Sequence, residues 1–188
     1  TSNHEAAELL LQRIQTESDK YNLSLNLKKC VLLQLNSTHN IHFLNGDAVP
    51  IACTASYLGS MLSANGNQHA EIKHRISVTL ITLKKLNTFW TKSPASIKWK
   101  LRVYDAVIIS KLLYGLEVLS LSNSDIDQLN AFQNKGLRRI LGIKHSYWTR
   151  VSNTDIMTQA NYRARLPEGK TIQTMSDRLI RKQLTLFG

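Results

Sequence analysis

The chain predicts an α+β fold: one helix with a small antiparallel sheet, then a three-helix bundle and a helical basic tail. Three observations carry this. Apolar residues recur with a helical period up to Tyr21 and again beyond Asn65. Between those stretches they fall in short runs bounded by turn residues. At 188 residues, 43% hydrophobic, the chain can bury a core and is not disordered throughout.

Each element has its own signal. Ser2 to Glu5 has the spacing of a capping box, with Ser2 as N-cap. The stripe of Ala6, Leu10 and Ile14, with Leu9 beside it, carries a helix to about Tyr21. The runs 30–35, 41–44, 49–53 and 56–62 then read as strands, with Asn45-Gly46-Asp47 as a hairpin turn. Ile72, Ile76, Leu80, Leu83 and Leu86 mark a first bundle helix. Ser93-Pro94 predicts the start of a second, with Ile97, Leu101, Tyr104, Ile108 and Leu112 on one side. Ser124 with Asp127 predicts the start of a third, lined by Ile126, Leu129, Gln133, Leu137 and Ile140 and ended by Gly142. Beyond Lys144 the period weakens. A short helix over 152–160, a break at Pro167-Glu168-Gly169 and a basic helix over 171–186 follow. The expected domains are 1–62, 63–144 and 145–188. Gly115 interrupts a helical pattern at a cost of about 1 kcal/mol against alanine, which predicts a close approach between helices. Trp90 and Trp99 are expected in the bundle core.

Composition narrows the chemistry. No apolar run is long enough to span a bilayer, and no signal peptide is visible. Cys30 and Cys53 form no C-x-x-C pair, which fits free thiols in a reducing compartment. His69 and His74 are five apart, which does not put both on one helix face at ligand spacing, so no metal site is expected. Charge is the stronger clue. Residues 1–60 carry four basic and five acidic side chains, whereas residues 61–188 carry twenty and eight, a net of +12. Such an excess on one module is the footprint of a phosphate-backbone binder.

Four motifs stand in order along the chain. They are Tyr21 to Cys30 (Y-N-L-S-L-N-L-K-K-C), Tyr57-Leu58-Gly59, Leu113 to Glu117 (L-Y-G-L-E) and Leu137 to Gly142 (L-R-R-I-L-G). In that order and spacing the chain resembles the back half of a non-LTR (LINE-like) retrotransposon reverse transcriptase. Asn22 stands where that family usually has glycine. The resemblance implies a C-terminal palm remnant with a primer-grip-like hairpin in 1–62, a helical thumb in 63–144 and a basic post-thumb connection in 145–188. It implies that Thr1 lies just past a Tyr-x-Asp-Asp turn that this chain does not hold, and that Gly188 opens a G-H-x-x-R step. Both ends are therefore expected to be cut. The parent polymerase would copy RNA into DNA by Mg²⁺-dependent phosphoryl transfer. The chain itself would hold no catalytic aspartates, bind no cofactor and be inactive alone. Its implied partners are an RNA–DNA hybrid or template–primer duplex and the parent's missing fingers and palm, with no membrane. Its implied location is intracellular, nuclear in the parent element.

The resemblance also assigns residues. Lys29 falls at a palm motif whose lysine assists departure of pyrophosphate, a step eased by a nearby proton donor. Gly59 and Ser60 would let backbone amides approach the primer, with Leu58 in the core. Independently of the family, Lys135, Arg138 and Arg139 stand at i, i+3 and i+4, which predicts one basic face opposite Leu137 and Ile140. Lys84, Lys85 and Lys92, then Lys98, Lys100 and Arg102, are further candidates, as are Arg163, Arg165, Lys170, Arg178, Arg181 and Lys182 in the tail. Two other readings stay open: a free-standing basic helical RNA- or DNA-binding module, and a basic protein–protein adaptor. A steep salt dependence of binding would separate the first from the second.

Overall fold

Turn chemistry and helix caps divide this chain, and its elements follow them. The computed structural model describes residues 3–57, 59–66, 68–167 and 169–187. The fold is α+β, mostly helical, with a two-stranded antiparallel sheet among the described residues. It forms two units, Thr1–Asn67 and Gln68–Gly188.

In the first unit, helix α1 spans His4–Asp19. Its cap is Asn3, whose side chain accepts from the Glu5 amide at 3.0 Å. The expected cap, Ser2, lies outside the described residues. The apolar stripe of α1 is exposed at Leu9, Leu10 and Ile14. Of the four expected strands, the first three pair only through isolated bridges, Leu32 with Ile51 and His42 with Ala48. The Asn45-Gly46-Asp47 hairpin is present: Phe43 N–H donates to Asp47 O and Val49 N–H to Ile41 O, both at 2.9 Å. Its flanks bury Phe43 and Val49. The regular sheet is the next hairpin, β1 (Thr54–Tyr57) and β2 (Ser60–Ser63), with Tyr57 opposite Ser60. Gly59 has φ 82° in that turn, a conformation glycine adopts without steric cost. Leu58 lies outside the described residues.

The second unit is helical. Helix α2 spans His69–Lys85, and α3 (Asn87–Lys92) follows after one residue. Helix α4 (Ile97–Val103) runs through π-helical turns at Tyr104–Ile109 into α5 (Ser110–Leu113). Helix α6 spans Asn123–Leu141, and α7 is the single turn Ser146–Thr149. Helices α8 (Asn153–Ala164) and α9 (Met175–Phe187) complete the unit. The starts differ from the expected ones by three residues in one case and two in the other. Ser96, not Ser93, caps α4 by accepting from the Trp99 amide. Ser122, not Ser124, caps α6 in a reciprocal box with Asp125.

The core joins Ile72 and Leu83 of α2, Trp90 of α3, Tyr104, Ile108 and Leu112 of the α4–α5 rod, and Leu129 and Phe132 of α6. Met175 and Leu179 of α9 enter the same core. Ile156 and Ala160 of α8 pack on Leu137 and Leu141 of α6. Residues 145–188 are therefore part of the helical unit rather than a connection after it. The expected boundary at 62–63 falls inside β2, and the division lies at 67–68.

Gly115 is a turn residue. It has φ 73° and ends the rod. The close approach is at Gly136 on α6, where a Cβ would lie 2.2 Å from the Tyr104 hydroxyl. Trp90 is 1% exposed, in the core as expected, but Trp99 is 53% exposed.

Candidate nucleic-acid interface

Three of the expected nucleic-acid contacts, Lys135, Arg138 and Arg139, lie on α6. The capping box holds its first turn. Asp125 is buried, and its carboxylate accepts from Ser122 and meets His69 Nδ1 of α2 at 2.6 Å. Burial alone would raise the Asp125 pKa. The hydrogen bond to His69, the Ser122 bonds and the His69 charge outweigh it and hold the carboxyl below its ordinary value. This pairing ties the starts of α2 and α6 together.

At that end a groove of about 790 Å³ runs beside α6. Lys135, Arg138, Arg139, Lys144 and His145 line it together with Phe132 and Ile143, and no carboxylate does so among the described residues. The groove thus gathers the three residues expected to share a face, but not in equivalent states. Lys135 is exposed and Arg139 half-buried. Arg138 is 7% exposed. Its guanidinium donates to Lys144 O at 3.3 Å, Val151 O at 2.7 Å and Asn153 Oδ1 at 3.2 Å. The expectation of a solvent-facing Arg138 is therefore corrected: its donors hold the loop after α6. The i+3 spacing puts Arg138 on the edge where that loop folds back, a long-range event that helical periodicity does not encode.

Two polar atoms of the groove lining, Arg139 Nη1 and Asn134 Oδ1, are buried without a hydrogen-bond partner. Stranding such a group costs about 1–3 kcal/mol.

A second basic cleft, of about 580 Å³, lies between the α4 rod, α6 and the α8–α9 segment. Lys98, Arg102, Lys170, Arg178 and Arg181 line it, with Asp105 as the one carboxylate among the described residues. Arg178 is paired with Asp105, and the Arg181 guanidinium faces the Gln173 side-chain amide, whose oxygen accepts from it at 2.9 to 3.1 Å once the amide is turned over. Lys98, Arg102 and Lys170 have no carboxylate partner among the described residues. At its wall Tyr104 is buried, and burial holds its phenol un-ionised well above the usual range. Lys100 is not available. It is buried, with Nζ donating to Trp90 O at 2.9 Å.

The other candidates are absent from the lining of either concavity. Lys84 and Lys85 are exposed on the last turn of α2, where cations complement the helix dipole. Lys29 is exposed at the end of a one-turn 3₁₀ helix, and Gly59 and Ser60 lie at the β1–β2 turn, all in the first unit. Among the described residues no three His, Cys, Asp or Glu side chains gather as a metal site. No described helix is long and apolar enough to cross a membrane.

Lys144 was missed at the sequence level. Its signal is the basic and aromatic run from Lys144 to Arg150 between two helix caps. No family model, curated protein or solved structure matches this chain.

Proposed function

We propose that this chain is the template–primer-gripping part of a retrotransposon reverse transcriptase: a palm remnant in the first unit and a thumb, with its basic continuation, in the second. The observation that carries the reading is the net +12 of residues 61–188, placed on a helical unit with two open basic concavities. Cations with no carboxylate opposite them are suited to successive phosphates. A hybrid duplex of A-like shape is read through its backbone and 2′-hydroxyls rather than its bases, so a basic groove suffices. The order of the four motifs supports the family. The exposed Leu9, Leu10 and Ile14 of α1 fit a palm whose remaining part would cover them.

The chain's own residues would bind and orient a duplex. Lys135, Arg139 and Lys144 would hold phosphates, and Arg138 would position Lys144 through its backbone carbonyl. Magnesium in the parent polymerase would supply the phosphoryl-transfer chemistry from residues outside this chain.

The test is binding of the purified chain to an RNA–DNA hybrid at several salt concentrations. Log affinity should fall linearly with log salt, and the double change Lys135→Ala/Arg139→Ala should lower the slope by about two, one per phosphate contact. A salt-independent response would overturn the reading in favour of a protein adaptor, to which the exposed Leu184, Leu186 and Phe187 of α9 would lend a surface.

A further inference from the structure

Tyr147 and Trp148 are 79% and 75% exposed on α7, while Trp90, Tyr104 and Phe132 of the same unit are buried. Two adjacent large aromatic side chains in water are costly unless something covers them. Their rings meet edge to face, with centroids 5.2 Å apart and planes at 89°.

The loop that carries them is tightly built. Arg138 grips it at both ends, through Lys144 O on one side and Val151 O and Asn153 on the other. Thr149 Oγ1 donates to Lys144 O and His145 O, and the Tyr147 amide donates to His145 Nδ1, all at 3.3 Å. Arg150 turns the chain with φ 55°. A buried arginine thus holds a turn whose most prominent feature is an exposed aromatic pair.

The surroundings say what would cover it. Lys144, His145 and Ser146, the residues just before the pair, line the groove with Lys135 and Arg139, and no carboxylate lines it among the described residues. Arg150 follows two residues later. A protein segment offering its own apolar side chains would leave those cations unmatched. A single strand of nucleic acid offers both partners at once, bases for the rings and phosphates for the cations.

We propose that the 144–150 turn is a stacking platform for unpaired bases, with Trp148 and Tyr147 taking the bases and Lys144, Arg150 and the groove cations taking the phosphates. The inference rests on the nucleic-acid reading above and adds the ligand class: a single strand, such as template or primer beyond a duplex end. Every base has a π-face, so the platform is indifferent to sequence.

The experiment uses the full chain carrying Trp99→Phe, which leaves Trp148 as the exposed tryptophan beside buried Trp90. A short uridine oligonucleotide should quench its emission. In binding assays Trp148→Ala should weaken the oligonucleotide about tenfold, the loss of one stacked base. It should leave a blunt RNA–DNA hybrid within about twofold, and Trp148→Phe should recover most of the loss. Circular dichroism should show the helices unchanged. Absence of quenching, equal oligonucleotide binding by Trp148→Ala, or equal weakening on both ligands would overturn the platform while hybrid binding by the parent chain leaves the broader reading standing. Failure of the parent chain to bind either ligand would overturn both.

Discussion

At the scale of single residues, neighbours in sequence have opposite duties. Arg138 and Arg139 are adjacent and of one type, yet Arg138 spends its donors on three loop acceptors and Arg139 faces the groove. Arg138→Ala should cost about 2–3 kcal/mol of stability, because charged hydrogen bonds in a buried site are lost together. Arg139→Ala should cost no stability, because it removes a donor buried without a partner, and should act on binding instead. Denaturant midpoints of the two variants test this contrast, and equal midpoints would contradict it. Gly136 makes a second residue-scale prediction. A methyl group there meets the Tyr104 ring, which is buried and packs edge to face on Trp90 at 6.2 Å. The ring has no room to retreat. Gly136→Ala should therefore destabilise by about 1–3 kcal/mol, measured by thermal unfolding. An unchanged midpoint would show that Tyr104 yields freely.

At the scale of elements, capping decides where the helices begin. Helices α6 and α8 open on the same device, Ser122 with Asp125 and Ser152 with Asp155. In both, the serine's hydrogen bonds favour the charged carboxylate and draw its pKa down. For Asp155 the Ser152 side-chain bond comes first, and for Asp125 burial opposes a larger sum led by His69. A folded-state pKa below the unfolded value adds stability that is fully present above the unfolded value, near 3.9, and is lost as pH falls through the folded one. At pH 7 Asp125→Asn should unfold at a lower temperature than the parent chain. The gap should close below about pH 4. A gap that persists in acid would mean that the cap works without its charge. The π-helical turns at Tyr104–Ile109 are an element of another kind. They place Tyr104 over Gly136 and Asp105 beside Arg178, and nothing in their residue types announces them.

At the scale of the whole chain, charge and chemistry are unevenly distributed. Residues 1–60 carry a net of −1 and residues 61–188 a net of +12, so hybrid affinity should reside in the second unit. A peptide of residues 68–188 should bind a hybrid with nearly the salt slope of the full chain, and residues 1–67 should not bind. Equal binding by the two would remove the electrostatic basis of the proposed function. If the chain is the gripping part proposed above, primer extension on an RNA template with magnesium should be undetectable for the chain alone. Robust extension would overturn the assignment of catalysis to residues outside this chain.

What the sequence determined by itself is what depends on neighbours along the chain. The α+β class, the break near residue 65, the Asn45-Gly46-Asp47 turn, the α8 start at Ser152 and the partition of charge were legible because periodicity, turn preference and composition are local properties, whereas the turn at Gly59 divides the run 56–62 that reads as one strand. The caps at Ser96 and Ser122 lie three and two residues from the expected Ser93 and Ser124, because several serines stand near each start and only the folded chain selects one. Only the tertiary structure decided that residues 145–188 complete the helical core, that Lys100 and Arg138 are buried, and that Trp99, Tyr147 and Trp148 are not. The reason is physical. Burial of one side chain depends on segments dozens of residues away, such as Ile156 against Leu137 or Met175 against Asn130, and no window along the chain contains both partners.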